Sequence, residues 1–230
     1  RALGREHVEV IVGAESQRSL AGSSSYCWQR IVYPSPYQSH EGFIAALMEV
    51  MQRHRVDAVF PVSDIAMHVL GPEKTQIEQY THFPAPTAQS FQEISDKYRL
   101  MQRAVTEGVS IPDTVFVPDG RLEGLIEKIV DFPVVVKPGC SLVKDGNRWI
   151  KTNVCYAESP EELLRLYRER PYLQRPSLIQ QRVIGEGQGL FVLMQEGRPL
   201  GMFAHRRLRE RPPSGGVSVL RESIALPKVM

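Results

Sequence analysis

An alternation of two hydrophobic periods in the first third of the chain narrows the fold more than any other feature. Val8-Glu9-Val10-Ile11-Val12-Gly13 is a short β-branched run closed by glycine, the pattern of a buried strand. Residues 41–55 then place Phe43, Ile44, Leu47, Met48 and Met51 at i, i+3/i+4 spacing, the stripe of an amphipathic helix. Val56-Asp57-Ala58-Val59-Phe60-Pro61 reads as the next strand, with Ser63-Asp64 at the turn out of it and a helix-like stretch over 65–70. Strands alternating with helices imply a parallel sheet. The intervening 21–40, rich in Ser, Tyr and Pro, reads as an irregular connection.

A second pattern begins after Pro72, Pro84 and Pro86, which puts a domain break near residue 84. Asp96 is placed to cap a helix over 97–105 that stops at Gly108, a cap worth about 1 kcal/mol. Residues 114–117 predict a strand, 122–130 a short helix with Leu122, Leu125, Ile126 and Ile129 on one side, and 133–138 a Val-rich strand ending at Gly139-Cys140-Ser141. Ser159-Pro160-Glu161-Glu162 combines a Ser cap, a proline at the first helical position and an acidic third position, so a helix runs to about Arg168. Residues 178–183, 190–194 and 200–204 are apolar strands, the last two joined as an antiparallel hairpin by Gln195-Glu196-Gly197-Arg198.

Composition excludes several classes. The 230 residues suffice for one large domain or two modest ones, and 28 Lys+Arg against 26 Asp+Glu leave a formal charge of only +2. That balance steers no surface toward nucleic acid or an anionic membrane, so an anion site must be local. Three cysteines without a C-x-x-C pair suggest neither a disulfide framework nor a cysteine zinc site, and a reducing cytosol is the default. No apolar run reaches the roughly 20 residues a membrane helix needs, and no signal segment opens the chain. The start at Arg1 without methionine suggests a fragment whose first strand is missing. Gly185, Gly187 and Gly189 lie two apart between strands, which fails the dinucleotide fingerprint, and P-loop, H-E-x-x-H and G-x-S-x-G motifs are absent.

A basic constellation remains: Lys97 at a helix start, Lys137 closing an apolar strand, and His205, Arg206, Arg207, Arg209 and Arg211 at the end of a hairpin. An ammonium at the end of a Val run either snorkels to water or meets an anion. In an extended run alternate side chains point to opposite faces, so only some of the arginines can serve one site. Those that do suit a phosphate or carboxylate, which a guanidinium binds in bidentate fashion. The others would make a solvated basic edge.

Read in order, these segments resemble the ATP-grasp superfamily of ligases, which includes carbamoyl phosphate synthetase large subunits and biotin carboxylase. The resemblance runs through Asp96-Lys97, Gly108-Val109-Ser110-Ile111-Pro112, Phe132-Pro133-Val134-Val135-Val136-Lys137-Pro138, Ser159-Pro160-Glu161-Glu162-Leu163 and Leu178-Ile179-Gln180-Gln181-Arg182-Val183-Ile184-Gly185-Glu186-Gly187. It implies an α/β chain with a parallel-sheet domain over 1–84 preceding an α+β ATP-grasp domain over 85–230, whose small lobe spans about 112–182 and partial large lobe 183–230. By the same resemblance Lys97 and Lys137 reach ATP phosphates from opposite lobes, and Ser141 in its turn and the loop 144–147 lie over them. Gln180, Gln181, Arg182 and Val183 form the adenine hinge, with Gln181 where many relatives carry glutamate. Glu186 or Gln188 takes the ribose, Arg207 and Arg209 are the catalytic candidates, and 212–216 makes a covering loop.

The resemblance further implies ATP and Mg2+, with metal ligands in an E-x-N segment beyond Met230 and none in this chain. The implied reaction phosphorylates a carboxylate to an acylphosphate that an amine or ammonia attacks. This chain alone would bind ATP with little turnover. The alternative is a non-catalytic nucleotide-binding or structural domain with the same fold. The expected partners are small carboxylate and amine substrates in the cytoplasm, without nucleic acid or membrane, and a homodimer is left open.

Overall fold

The computed structural model describes residues 2–129, 131–146, 148–211 and 216–225, which fall into two compact units divided between Arg182 and Val183. The first unit opens with α1 (Ala2–Arg5), then β1 (Val10–Ala14) and β2 (Cys27–Val32), which pair in parallel. β2 lies inside the stretch read as an irregular connection. Cys27, Gln29 and Ile31 are half-buried while Trp28, Arg30 and Val32 are exposed. The strand alternates in burial but not in residue polarity, which hides it from a period-two reading.

α2 (His40–His54) follows, capped by Ser39, whose hydroxyl accepts from the Gly42 N–H at 3.2 Å. The strand expected over 56–61 does not form. A single parallel bridge joins Ala58 to His82, with Val59 N–H donating to the His82 carbonyl at 2.9 Å. Pro61 and Pro84 flank this bridge and lack the N–H that would extend a ladder. α3 (Asp64–Leu70), α4 (Lys74–Ile77) and α5 (Ala88–Ser95) complete this part. Its core gathers Phe43, Met51, Ile65, Leu70, Ile77 and Phe83, each at most 3% exposed.

The rest of the unit is a four-stranded antiparallel sheet in the order β3-β8-β4-β7, built from β3 (Thr114–Val117), β4 (Val134–Pro138), β7 (Cys155–Ala157) and β8 (Ser177–Gln181). β5 (Leu142–Asp145) and β6 (Arg148–Lys151) form a separate hairpin between β4 and β7. Part of the loop expected over 144–147 is therefore strand, although Asn147 lies outside the described residues. One face of the sheet packs Val134, Val136, Ala157 and Ile179 against Leu163, Leu166 and Tyr167 of α7 (Pro160–Glu169). Full burial of such side chains stabilises by about 1.5–3 kcal/mol each. α7 starts as its sequence predicts, with Glu162 N–H donating to Ser159 Oγ at 3.3 Å and Pro160 in the first turn. The other face receives α6 (Lys97–Thr106), which packs on β4 and β8.

The helix expected over 122–130 is a 3-10 turn at Ile126–Lys128, with Val130 outside the described residues. Gly124, at φ 67°, interrupts the helical path, while Leu122 still anchors the segment at 5% exposure.

The second unit contains β9 (Gln188–Gln195), β10 (Arg198–Arg211) and β11 (Val217–Ser223), an antiparallel sheet in the order β11-β10-β9. Glu196 and Gly197, at φ 48° and 76°, turn β9 into β10 with the left-handed residue pair that a two-residue hairpin favours. The covering loop expected over 212–216 lies outside the described residues except for Gly216. Among the described residues no helix is long and apolar enough to cross a membrane, and no group of three His, Cys, Asp or Glu could hold a metal ion.

Candidate functional site

Strand parity decides where Lys137 points. In β4, Val134 and Val136 turn toward α7, whereas Val135 pairs with Gln180 and Lys137 with Leu178 on the face that α6 covers. Lys137 is therefore half-buried beneath a helix rather than extended into the main core. Burial makes its ammonium a stronger acid than usual, and the nearby Lys97 ammonium lowers its proton affinity further.

Lys97 reaches the same place from the start of α6. Asp96 ends α5 and caps α6, its Oδ1 accepting from the N–H groups of Tyr98 at 2.9 Å and Arg99 at 3.4 Å. The Lys97 N–H donates to the Gly139 carbonyl at 2.6 Å, and its ammonium donates to Ser141 Oγ at 2.9 Å. This approach requires glycine at 139, since a Cβ there would lie 2.8 Å from the Pro176 carbonyl oxygen and 2.9 Å from Asp96 Oδ1. The pair thus comes from two elements of one compact unit, not from the opposite lobes expected of it.

The turn after β4 is rich in cations. Burial pushes the Cys140 thiol up, as does Asp96, while Lys97, Arg99 and Arg175 act in the opposite direction. Asp96 is occupied by the helix cap and by Arg99, whose Nε lies 3.6 Å from Oδ2. Among the described residues the Lys137 ammonium has neither an ion pair nor a hydrogen bond. Two adjacent ammonium groups, one of them half-buried, form a local arrangement that an oxyanion would relieve. The Gly139 N–H is not free for an anion, because it is donated to the Pro176 carbonyl at 2.9 Å.

The hinge candidates divide by role. Gln180 is 3% exposed and donates from Nε2 to Thr114 Oγ1 at 2.8 Å, so its side chain belongs to the sheet. Gln181 is exposed, with its N–H donated to the Asp113 carbonyl at 2.8 Å. The Arg182 guanidinium lies 5.7 Å from the centre of the Tyr156 ring. In the second unit Val183 is 68% exposed. Glu186 and Gln188 bond to each other, Gln188 Nε2 donating to Glu186 Oε2 at 3.0 Å, and Glu186 also pairs with Arg206 at 3.3 Å.

Arg207 and Arg209 are not brought together. Arg207 registers opposite Arg221 and Arg209 opposite Leu220, with an irregularity between them. Consecutive residues of β11 project to opposite faces, so the two arginines do as well. Arg207 Nη1 donates to Glu210 Oε1 at 3.0 Å. Sequence reasoning missed Arg221, whose only signal is its place in the last strand, because the register that sets it beside Arg207 is a tertiary fact. It also missed the contact that seats the β5–β6 hairpin. There Trp149 Nε1 donates to His40 Nε2 at 2.8 Å and its ring packs 4.9 Å from that of His68.

No family model matches the sequence, and no curated protein matches it either. Solved structures do match the fold. An L-amino acid ligase from Bacillus licheniformis superposes with a TM-score of 0.63 at 13% identity, covering 97% of this chain and 50% of that one. The ADP complex of an N5-carboxyaminoimidazole ribonucleotide synthetase gives 0.61 at 12% identity, covering 90% of this chain and 50% of that one. The chain has the ATP-grasp fold. D-alanine–D-alanine ligase from Bacillus anthracis, in complex with ATP, gives 0.52 at 16% identity over 86% of this chain and 61% of that one. The chain thus spans about half the length of the first two ATP-grasp neighbours; by name two of the three are ligases and one is a synthetase.

Proposed function

We propose that this chain is the nucleotide-binding part of an ATP-dependent carboxylate–amine ligase. The observation that carries the reading is the juxtaposition of Lys97 and Lys137, two cations from separate elements of which the second is half-buried and unpaired among the described residues. A polyphosphate would compensate both charges, and the ligases named above support the choice of nucleotide. In this reading Lys97, Lys137 and Ser141 hold phosphate oxygens, and Gln181 and Arg182 border the base through main-chain groups. Arg207 and Arg209 project to opposite faces of their sheet, so one of them at most is the candidate for a substrate carboxylate or phosphoryl group.

Bound ATP would supply the phosphoryl group that turns a carboxylate into an acylphosphate open to attack by an amine. The residues act by position and charge. The Lys97 ammonium, already fixed by Ser141, orients one phosphate, and Lys137 neutralises charge from beneath α6, so no side-chain nucleophile is required. Incubating the protein with ATP, magnesium and a panel of carboxylic and amino acids tests the reading. Acid-dependent ADP release supports a ligase. Saturable ATP binding without release under any acid favours a nucleotide-binding domain, and no ATP binding at millimolar concentration removes both.

A further inference from the structure

The sheet of the second unit contains a pairing that works against its own stability. In the register of β10 and β11, Arg207 lies directly opposite Arg221, and like charges so placed destabilise a sheet. One step along, Arg206 lies opposite Glu222 with an ion pair between them, and it also pairs with Glu186 at 3.3 Å. The face of β10 that carries Arg206 is therefore charge-matched across the strands, whereas the face that carries Arg207 is not. Glu210 neutralises Arg207 alone, at 3.0 Å, and the Arg221 side chain has no ion pair or hydrogen bond among the described residues.

His205 shares that second face, opposite Gly189 and Ser223. It is 5% exposed, its ring centre lies 5.3 Å from that of Phe191, and its Nδ1 has no hydrogen-bond partner. Two glycines of the neighbouring segment admit these side chains. A Cβ at Gly189 would come within 2.5 Å of His205 Cε1, and one at Gly187 within 2.9 Å of Arg207 Cδ. The alternate-residue glycine spacing that fails as a dinucleotide fingerprint thus clears one face of the sheet for a histidine and an arginine.

We infer that Arg207 and Arg221 together form an oxyanion-binding subsite on this face of the three-stranded sheet, for a carboxylate or a phosphoryl group. Two guanidinium groups bind such a group through parallel N–H donors, and the anion relieves the repulsion that the register imposes. The subsite belongs to the second unit alone and does not depend on which reaction the chain serves.

Titrating the full chain with inorganic phosphate, ATP and succinate tests it, with Arg221→Gln compared against Arg198→Gln at the far end of β10. Arg221→Gln is expected to raise the melting temperature of the ligand-free protein and to weaken one probe class by fivefold or more. A joint loss for phosphate and ATP assigns a phosphoryl group, and a loss for succinate alone assigns a carboxylate. The inference is overturned if Arg221→Gln lowers the ligand-free melting temperature, leaves all three affinities within twofold, or weakens them no more than Arg198→Gln does.

Discussion

Replacing Lys137 with methionine separates a binding lysine from a structural one, because the two roles move stability in opposite directions. Methionine keeps the length and apolar stem of the side chain and removes the charge. In the free protein that charge is half-buried, unpaired among the described residues and pressed by Lys97, so its loss removes a desolvation cost and a repulsion. The expected gain is about 0.5–1 kcal/mol, or about 1–4 °C in melting temperature for a chain of this size. A lysine–phosphate contact at about 4 Å contributes about 4 kcal/mol in an effective dielectric near 20. Desolvation takes part of this, and charged hydrogen bonds retain about 1.5–3 kcal/mol net. ATP affinity should therefore fall by about ten- to 150-fold. Calorimetric titration with ATP and thermal unfolding with and without it read both quantities. A variant that melts lower than the parent and binds ATP within twofold of it would refute the reasoning, since Lys137 would then be a structural residue.

The same lysine sets a pH dependence. Its proton affinity is lower in the folded chain than the ordinary 10.5, so the unfolded chain holds that proton more tightly. Stability should rise with pH from the lowered folded value up to 10.5, and ATP affinity should fall across the same interval because binding needs the charged form. Affinity constant up to 10.5 would contradict this. Trp149→Phe keeps most of the ring packing on His68 but removes the donor to His40 Nε2, so denaturant unfolding should show a loss of about 0.5–1.5 kcal/mol. No loss would mean that the hairpin is seated by Leu142 and the rings alone.

Local chemistry was legible in the chain where one short segment contains its own reason. Asp96 caps α6, and Ser159 and Pro160 start α7, because cap, first turn and apolar stripe lie within a few residues of each other. Segments whose form depends on a distant partner were misread. β2 pairs with β1 without an apolar alternation of its own, and 56–61 has strand composition but only one bridge to His82. The 122–130 stripe kept its buried leucine and lost its helix at Gly124.

The candidate site follows the same division. Residue type marked Lys97, Lys137 and the arginines of β10 as the chemistry-bearing set, and the resemblance of the ordered segments implied the ATP-grasp fold. Tertiary structure decided that both lysines belong to one compact unit, that the Gln180 side chain serves the sheet, that Arg207 and Arg209 diverge, and that Arg221 stands opposite Arg207. The physical reason is strand register. It pairs residues far apart in sequence and assigns each to a face, and a shift of one residue would turn Lys137 toward α7 and part Arg207 from Arg221.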